Sequence, residues 1–454
     1  MSGSTGTGSG VNADVTTVAL ACSNSSYSIG GTVTGLLLNQ AVTLVDNGGT
    51  GGNVATITGG GTGTDTFTFA TKIPFQGSYS VAVSNSGQPS NQTCRVSNGS
   101  GSNVAADVAT VGMSCRLAIA YVVNATDHTV SQYTIGVDGT LTTLGSPIDT
   151  QGVNPNVVAV DPSGRFAYVT NFGSNTVAQF VIAQATGVLS FNGLATTGST
   201  PYSVVVDPTG RYAYVTNQDD PSGANSSVSQ FTVGPDGKLT GNGSFALPSG
   251  SKPYQVTVDP TGQHAYVANR GTSMISQFNI NGTGALIPMA TAQVAAGTGS
   301  LFITINPAGT YAYVSNFDAS PSPTVSQFSF DGTGALVASS PTTTVSTGNG
   351  PYTVAISPNG LYAYWSNKYA SNISQCSFAS LGALNCSAGV IASGTQPQYI
   401  AIDPFGRNLY AVDFNAGGAG AVSQYTIGVA GVLSTNSVPT ASTGNGPYSI
   451  TTTK

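Results

Sequence analysis

Glutamate is missing from this 454-residue chain: all 17 acidic residues are aspartate, opposed by only 11 lysines and arginines. Charged residues make up 6% of the sequence, against about a quarter in an average soluble domain. Serine, threonine, asparagine and 59 glycines provide the polar surface instead. Such a surface is common in secreted bacterial β-proteins and rare in cytosolic ones, so an extracellular or cell-surface location is expected, with a lipid anchor in a longer precursor as one route to it. The basic residues are scattered and the formal net charge is -6, which argues against nucleic acid and anionic membranes as partners. No run of 18 apolar residues occurs, so no transmembrane helix is encoded. Zinc-ligand spacing, a phosphate-cradling glycine loop and a Ser/His/Asp order are all lacking, and neither metal nor cofactor is expected. Residues 1–11 have the composition of a flexible linker, without the basic and apolar regions of a signal peptide, and the natural chain is expected to continue upstream.

What the chain does contain is repetition. Tyr-Val-Val-Asn ends at Asn124, Tyr-Val-Thr-Asn at Asn171 and Asn217, Tyr-Val-Ala-Asn at Asn269, Tyr-Val-Ser-Asn at Asn316, Tyr-Trp-Ser-Asn at Asn367 and Tyr-Ala-Val-Asp at Asp413. The spacings are 47, 46, 52, 47, 51 and 46 residues, the interval of a four-stranded propeller blade. A second marker keeps the same count, with glutamine at Gln132, Gln179, Gln230, Gln277, Gln327, Gln375 and Gln424. Asp-Pro-x-Gly turns begin at Asp161, Asp207, Asp259 and Asp403, with Asn306-Pro-Ala-Gly309 and Ser357-Pro-Asn-Gly360 as variants. Each copy predicts four strands: an alternating apolar segment, the turn, the Tyr-Val-x-Asn strand, a variable loop, the glutamine strand and a weaker outer strand. The first copy lacks its opening strand, and the chain ends on Pro447-Tyr-Ser-Ile-Thr451, which matches that strand elsewhere. Because an unpaired edge invites aggregation, the C-terminal strand is expected to close the first blade beside residues 117–135.

These repeats resemble the YVTN-repeat propellers, relatives of the seven-bladed lactonase fold that includes 6-phosphogluconolactonase and muconate-lactonising enzymes. The resemblance covers roughly three quarters of the chain and implies an all-β, seven-bladed β-propeller over 117–454; propellers host unrelated activities, so it says less about function. Residues 12–116 form a second unit. Tyr27–Gly35, Ala41–Val45, Asp65–Ala70 and Tyr79–Val83 alternate as half-buried strands between glycine-rich turns, which fits an N-terminal β-sandwich resembling the Ig-like modules of secreted bacterial proteins. Asp14–Cys22 and Asp107–Cys115 match at an offset of 93 residues; the first is either an ordinary opening strand or one that pairs with a neighbouring molecule.

Of five cysteines, Cys376 and Cys386 face one another across a predicted hairpin, at a position that is Tyr or Phe in the other copies. A disulfide is expected there, with two buried thiols as the alternative. Cys94–Cys115 is the expected second bridge, leaving Cys22 over; Cys22–Cys94 and Cys22–Cys115 remain open.

Function is expected on the face carrying the variable loops. They present His128 beside Asp127, Phe172, Asp219 and Asp220, Arg270, Phe317 and Asp318, Lys368 and Tyr369, and Asp413 and Phe414. At the channel mouth stand Asn156, Tyr202, Tyr254, Leu301, Tyr352, Gln398 and Tyr448. Tyrosines and amides suit sugars, peptides or small neutral ligands; alternatively they fill the narrow end of the ring. His264 aligns with Phe166, Tyr212, Tyr311 and Tyr362, a structural aromatic position, and His128 has no identifiable catalytic partner. Asp219 and Asp220 can hold a cation with backbone carbonyls, although a solvated turn is the plainer reading. The lactonase relatives are expected to use His, Glu and Arg, or metal-binding carboxylates, on this face; the chain has no Glu, one loop His and one loop Arg. The expectation is therefore a non-enzymatic binding or structural protein with a protein or carbohydrate partner at the loop face, self-associating through residues 12–22. A lactonase-like hydrolase acting at the same face is the alternative.

Overall fold

The computed structural model describes residues 25–48, 52–61, 63–84, 87, 89, 92–136, 138–219, 222–318, 324–338, 348–379, 382–386, 389–414 and 419–453. The linker, the Asp14–Cys22 segment and Cys22 lie outside them. Every named element is a β-strand, and no helix among the described residues is long and apolar enough to cross a membrane. The chain divides into two compact units, residues 1–88 with 94–115, and 89–93 with 116–454.

In the first unit, one four-stranded sheet runs Thr64–Thr68, Ile29–Thr34, Val108–Leu117, Gln92–Ser97, and another runs Asn53–Thr58, Ala41–Asp46, Tyr79–Val83, Ser100–Gly101. Alternation along these strands sends Ile29, Val33 and Phe67 of the first sheet and Val42, Leu44 and Val81 of the second into one shared core. Cys94 and Cys115 are bonded, joining neighbouring strands. The buried Asp46 carboxylate accepts from the Gly48 and Ser80 amides at 3.0 and 2.7 Å, so its charge is met by backbone donors.

Among the described residues, the second unit contains seven sheets. Six are sequential blades opening on Pro155–Val160, Pro201–Val206, Pro253–Val258, Ser300–Ile305, Pro351–Ile356 and Pro397–Ile402; all are four-stranded except the fifth of them, where Leu384–Asn385 and Val390–Ala392 both pair with Asn372–Phe378 and make five strands. The remaining one, blade 1, takes its innermost strand from the C-terminus: Pro447–Thr452 pairs antiparallel with Ile119–Asn124, itself paired with Thr129–Ile135. Each innermost strand touches the innermost strands of the two adjacent blades, and the series returns from Pro397–Ile402 through Pro447–Thr452 to Pro155–Val160.

The recurrent sequence positions are the contacts between blades. In the Tyr-Val-x-Asn strand the tyrosine is buried, and its hydroxyl donates to a glycine carbonyl in the outer turn of the next blade. Tyr121 reaches Gly187, Tyr168 Gly237, Tyr214 Gly284, Tyr266 Gly334, Tyr313 Gly382, Tyr364 Gly431, and Tyr410 returns to Gly139, all at 2.5–2.9 Å. The glutamines form a parallel series, each Oε1 accepting from a leucine amide on the outer strand of the next blade: Gln132 from Leu189, Gln179 from Leu239, Gln230 from Leu286, Gln277 from Leu336, Gln327 from Leu384, Gln375 from Leu433, and Gln424 from Leu141. A buried amide without such an acceptor costs about 1–3 kcal/mol, which the glutamine side chain spares at each interface.

The turn motif is a matter of acceptors. Asp207 Oδ1 accepts from the Arg211 and Tyr212 amides at 2.8 Å, and Gly210 takes φ +72° to close the turn. Asn306 Oδ1 and Ser357 Oγ accept from the Tyr311 and Tyr362 amides in the two variant turns, so any short side chain with an acceptor oxygen serves. Outer strands vary most, from Leu384–Asn385 to the thirteen residues of Leu433–Asn445. Where blade 6 has Cys376 instead of an aromatic, Cys376 and Cys386 are bonded.

Blade 7 differs at one position. The asparagines ending the second strands of blades 1–6 are fully buried and donate to side-chain or backbone oxygens nearby; the corresponding Asp413 carboxylate instead accepts from Ser393 Oγ at 3.0 Å and Ser423 Oγ at 2.5 Å. Burial raises its pKa to about 6, against which the hydrogen bonds act only partly. A carboxyl that is harder to ionise folded than unfolded destabilises the fold at pH above its folded value, and the penalty fades as pH falls towards the unfolded value. Asp413→Asn should therefore stabilise the propeller by about 2–3 kcal/mol at pH 8, with the gain shrinking below pH 6 and gone near pH 4. Denaturant titrations of both proteins across that range test this; a gain independent of pH would refute it.

Candidate functional site

On the loop face, a cavity of about 690 Å³ is lined by residues from six blades, among them Thr126, Asn156, Phe172, Tyr202, Lys252, Tyr254, Arg270, Asp318, Phe414 and Tyr448. Blade 6 is the one that contributes none to this lining. Each innermost strand begins here at a residue with positive φ. Gly299, Gly350 and Gly446 serve in three blades, but Asn154, Thr200, Lys252 and Gln396 adopt it in the other four. For Thr200, a β-branched residue, this conformation is strained. In most blades a register shift follows within the next few residues, so two successive side chains are available to the axis.

The floor of the cavity is built of tyrosines. The Tyr202 hydroxyl meets that of Tyr352 at 2.6 Å and also that of Tyr448, while Tyr352 and Tyr448 lie 2.9 Å apart. Burial pushes Tyr448 up to about 12 and Tyr202 and Tyr352 well above the usual phenol range. The triad is therefore neutral, a closed set of mutual donors and acceptors that plugs the axis and cannot supply a tyrosinate base.

The wall carries charge. Arg270 donates from Nε and Nη2 to the two Asp318 oxygens at 2.9 and 3.1 Å, and from Nη1 to the Tyr254 hydroxyl at 3.1 Å. Its guanidinium also lies over the Tyr254 and Phe317 rings. The bidentate pair fixes the orientation of both side chains, and the Asp318 hydrogen bond holds Arg270 firmly protonated. Both remain about one-third exposed, so the pair is open to a ligand.

Of the channel-mouth residues, Asn156, Tyr202, Tyr254 and Tyr448 line the cavity. Tyr352 is beneath it, in the hydroxyl triad, and Gln398 is buried at 1% exposure. The axial position expected for Gln398 is taken by its neighbour Tyr399, which packs on Phe302, Tyr352 and Tyr448. Sequence comparison missed Tyr399 and Phe302 because their aromatic rings are displaced by one residue from the tyrosine column; the shift in register is the reason, and an aromatic one place late was the available signal.

Among the loop residues, Arg270 lines the cavity and Lys368 stands at its margin, with its ammonium over the Tyr352 and Phe414 rings. His128 is not among the lining residues. It sits at φ 59°, with its carbonyl accepting from Thr150. Asp219 is engaged within its own loop, accepting from the Asn225 amide at 2.8 Å and side chain at 3.2 Å; Asp220 lies outside the described residues. No group of three or more metal-ligating side chains occurs among the described residues. His264 occupies the aromatic position of its blade, its ring against Gly334 as that of Tyr212 is against Gly284, with Nδ1 3.2 Å from the Asp259 carboxylate.

Known structures share this architecture. A Bacteroides fragilis protein described as a candidate 6-phosphogluconolactonase is 21% identical, with a TM-score of 0.64 over 74% of this chain and 98% of its own. The periplasmic gluconolactonase PpgL of Pseudomonas aeruginosa is 17% identical, with a TM-score of 0.62 over 74% and 99%. Hydrazine synthase of Kuenenia stuttgartiensis also matches, at 17% identity and a TM-score of 0.52 over 67% and 91%. At such identities the likeness concerns the fold. No curated protein matches the sequence. The profile of the family described as lactonase, 7-bladed beta-propeller, matches residues 92–190, 114–243 and 223–385. Because those segments together span well over half of its length, the chain belongs to the lactonase seven-bladed β-propeller family.

Proposed function

We propose that the loop-face cavity binds a small lactone and opens it by hydrolysis. Family membership favours this over the non-enzymatic role suggested by the sparse charge of the sequence, and two solved neighbours described as acting on sugar lactones support the same direction. The observation that carries the reading is the Arg270–Asp318 pair, a fixed cation and carboxylate side by side on the wall of an aromatic-floored cavity.

Lactone hydrolysis adds a water oxygen to the carbonyl carbon, leaving the carbonyl oxygen negative; collapse breaks the ring C–O bond, the ring oxygen takes a proton, and the product is a hydroxy acid. The Arg270 guanidinium suits the developing oxyanion, and Asp318 suits the proton of the attacking water. Stacking on Tyr254 and hydrogen bonding from Asn156 suit a hydroxylated ring. The neutral tyrosine triad contributes a floor rather than a base.

Arg270→Met and Asp318→Asn should each lower kcat/KM for δ-lactones about a hundredfold or more, the usual effect of removing a transition-state donor or base. Acid release followed by pH-stat measures it. Wild-type rates in both variants, with the fold intact by circular dichroism, would remove this pair from the mechanism, and no lactone turnover by the wild type would remove the reading itself. The two disulfides support an oxidising, extracytoplasmic setting, and the paired sheets of the first unit support its role as an Ig-like spacer.

A further inference from the structure

We propose that Lys368 is the specificity-determining residue of the loop-face cavity, selecting ligands that carry an oxyanion, carboxylate or phosphate. This rests on the reading of that cavity as the ligand site. Lys368 stands on blade 6, the blade absent from the cavity lining, and its ammonium lies 5.4 Å from the Tyr352 ring centre and 5.6 Å from that of Phe414. Phe414 is a wall of the cavity, and Tyr352 is bonded through its hydroxyl to the floor residues Tyr202 and Tyr448. The Lys368 amide donates to the Gly350 carbonyl at 2.8 Å, which anchors the backbone that carries the side chain.

The charge of Lys368 is unbalanced by the protein. Among the described residues it makes no ion pair and no side-chain hydrogen bond, whereas Arg270 has Asp318 as a counter-ion through Nε and Nη2. Burial, followed by the charge of Arg270, holds the lysine below its usual pKa. An ammonium that has given up part of its water for two aromatic faces gains no acceptor from the protein for its N–H donors. An anion entering the cavity supplies that acceptor and reverses the desolvation penalty, which a neutral ligand cannot do.

The test uses sorbitol and two anions each made by changing one of its two ends, gluconate at the first carbon and sorbitol 6-phosphate at the last. Calorimetric binding to the full chain needs no turnover, so it is independent of whether the protein hydrolyses lactones. In the wild type at least one of the anions should bind about tenfold or more tightly than sorbitol, the scale of one charge-assisted hydrogen bond, and which anion leads identifies the group recognised. Lys368→Met should bring that ratio close to one, Lys368→Arg should retain most of it, and Lys238→Met, which removes an exposed lysine from an outer turn, should leave it unchanged. Equal binding of all three compounds by the wild type, or an anion preference that survives Lys368→Met in a folded protein, would overturn the assignment.

Discussion

Deleting residues 447–454 should abolish cooperative folding of the propeller. The deletion removes the innermost strand of blade 1, whose partner Ile119–Asn124 is buried along its whole length. It also removes Tyr448 from the axial triad and Ile450 from the core cluster that joins blades across the ring. Several local bonds disappear with it: Ser449 Oγ accepts from the Val158 amide at 3.2 Å, Thr452 Oγ1 donates to the Ile402 carbonyl at 2.8 Å, and Thr453 Oγ1 accepts from the Ile119 amide at 3.0 Å. Each buried backbone group left without a partner costs about 1–3 kcal/mol. Half a dozen of them, with the lost apolar burial, exceed the roughly 5–15 kcal/mol that stabilises a typical domain. Chemical unfolding followed by near-ultraviolet circular dichroism should show the propeller's transition lost in the truncated chain, leaving only that of the first unit, and a synthetic peptide of residues 445–454 should restore it by strand addition. A truncated chain that unfolds at the wild-type denaturant concentration would show that the ring does not depend on this strand.

The second large effect is expected at Gly284. Its φ is +81°, and a Cβ there would sit 2.2 Å from the Tyr212 ring. The same residue offers its carbonyl to Tyr214 at 2.9 Å. Gly284→Ala combines left-handed strain of about 1–2 kcal/mol with overpacking of about 1–3 kcal/mol and a disturbed buried hydrogen bond, for an expected loss of about 3–5 kcal/mol. Gly282, two residues earlier in the same turn, has open space where a Cβ would project and no positive φ. Gly282→Ala should therefore be nearly neutral. Urea unfolding of the two variants side by side separates contact at the blade interface from a general intolerance of the turn; equal stabilities would refute the interface explanation.

These effects bear on how the repeat conveys structure. Tyrosine and glutamine at fixed spacing marked seven units, but their purpose was hidden, because the atoms they meet belong to the following blade, about 55–70 residues later in the chain. A pattern read within one copy shows that a tyrosine recurs; it does not show that the hydroxyl crosses an interface. The cavity was legible to a similar depth. Arg270, Tyr202, Tyr254 and Tyr448 stood out as loop-face or axial residues, whereas Asp318 gained its meaning only when blades 4 and 5 were brought together and the bidentate pair formed. Asp219 and His128 show the reverse: polar loop residues with promising chemistry, of which the first has its carboxylate engaged within its own loop and the second lies outside the cavity lining.

Local chemistry in the linear chain was enough to specify strand periodicity, the turns built on Asp, Asn or Ser acceptors, the juxtaposition of Cys376 and Cys386 across one hairpin, and the missing strand at the C-terminus, since each depends on neighbours or on a repeated spacing; the choice of Cys94–Cys115 among three cysteines came from the structure. Which tyrosines seal the axis, which charges pair across the loop face and which lysine is left without a counter-ion were decided only by closing seven blades around one axis. Those contacts join residues from different copies, and their geometry follows from blade angle and register, quantities that no single repeat contains.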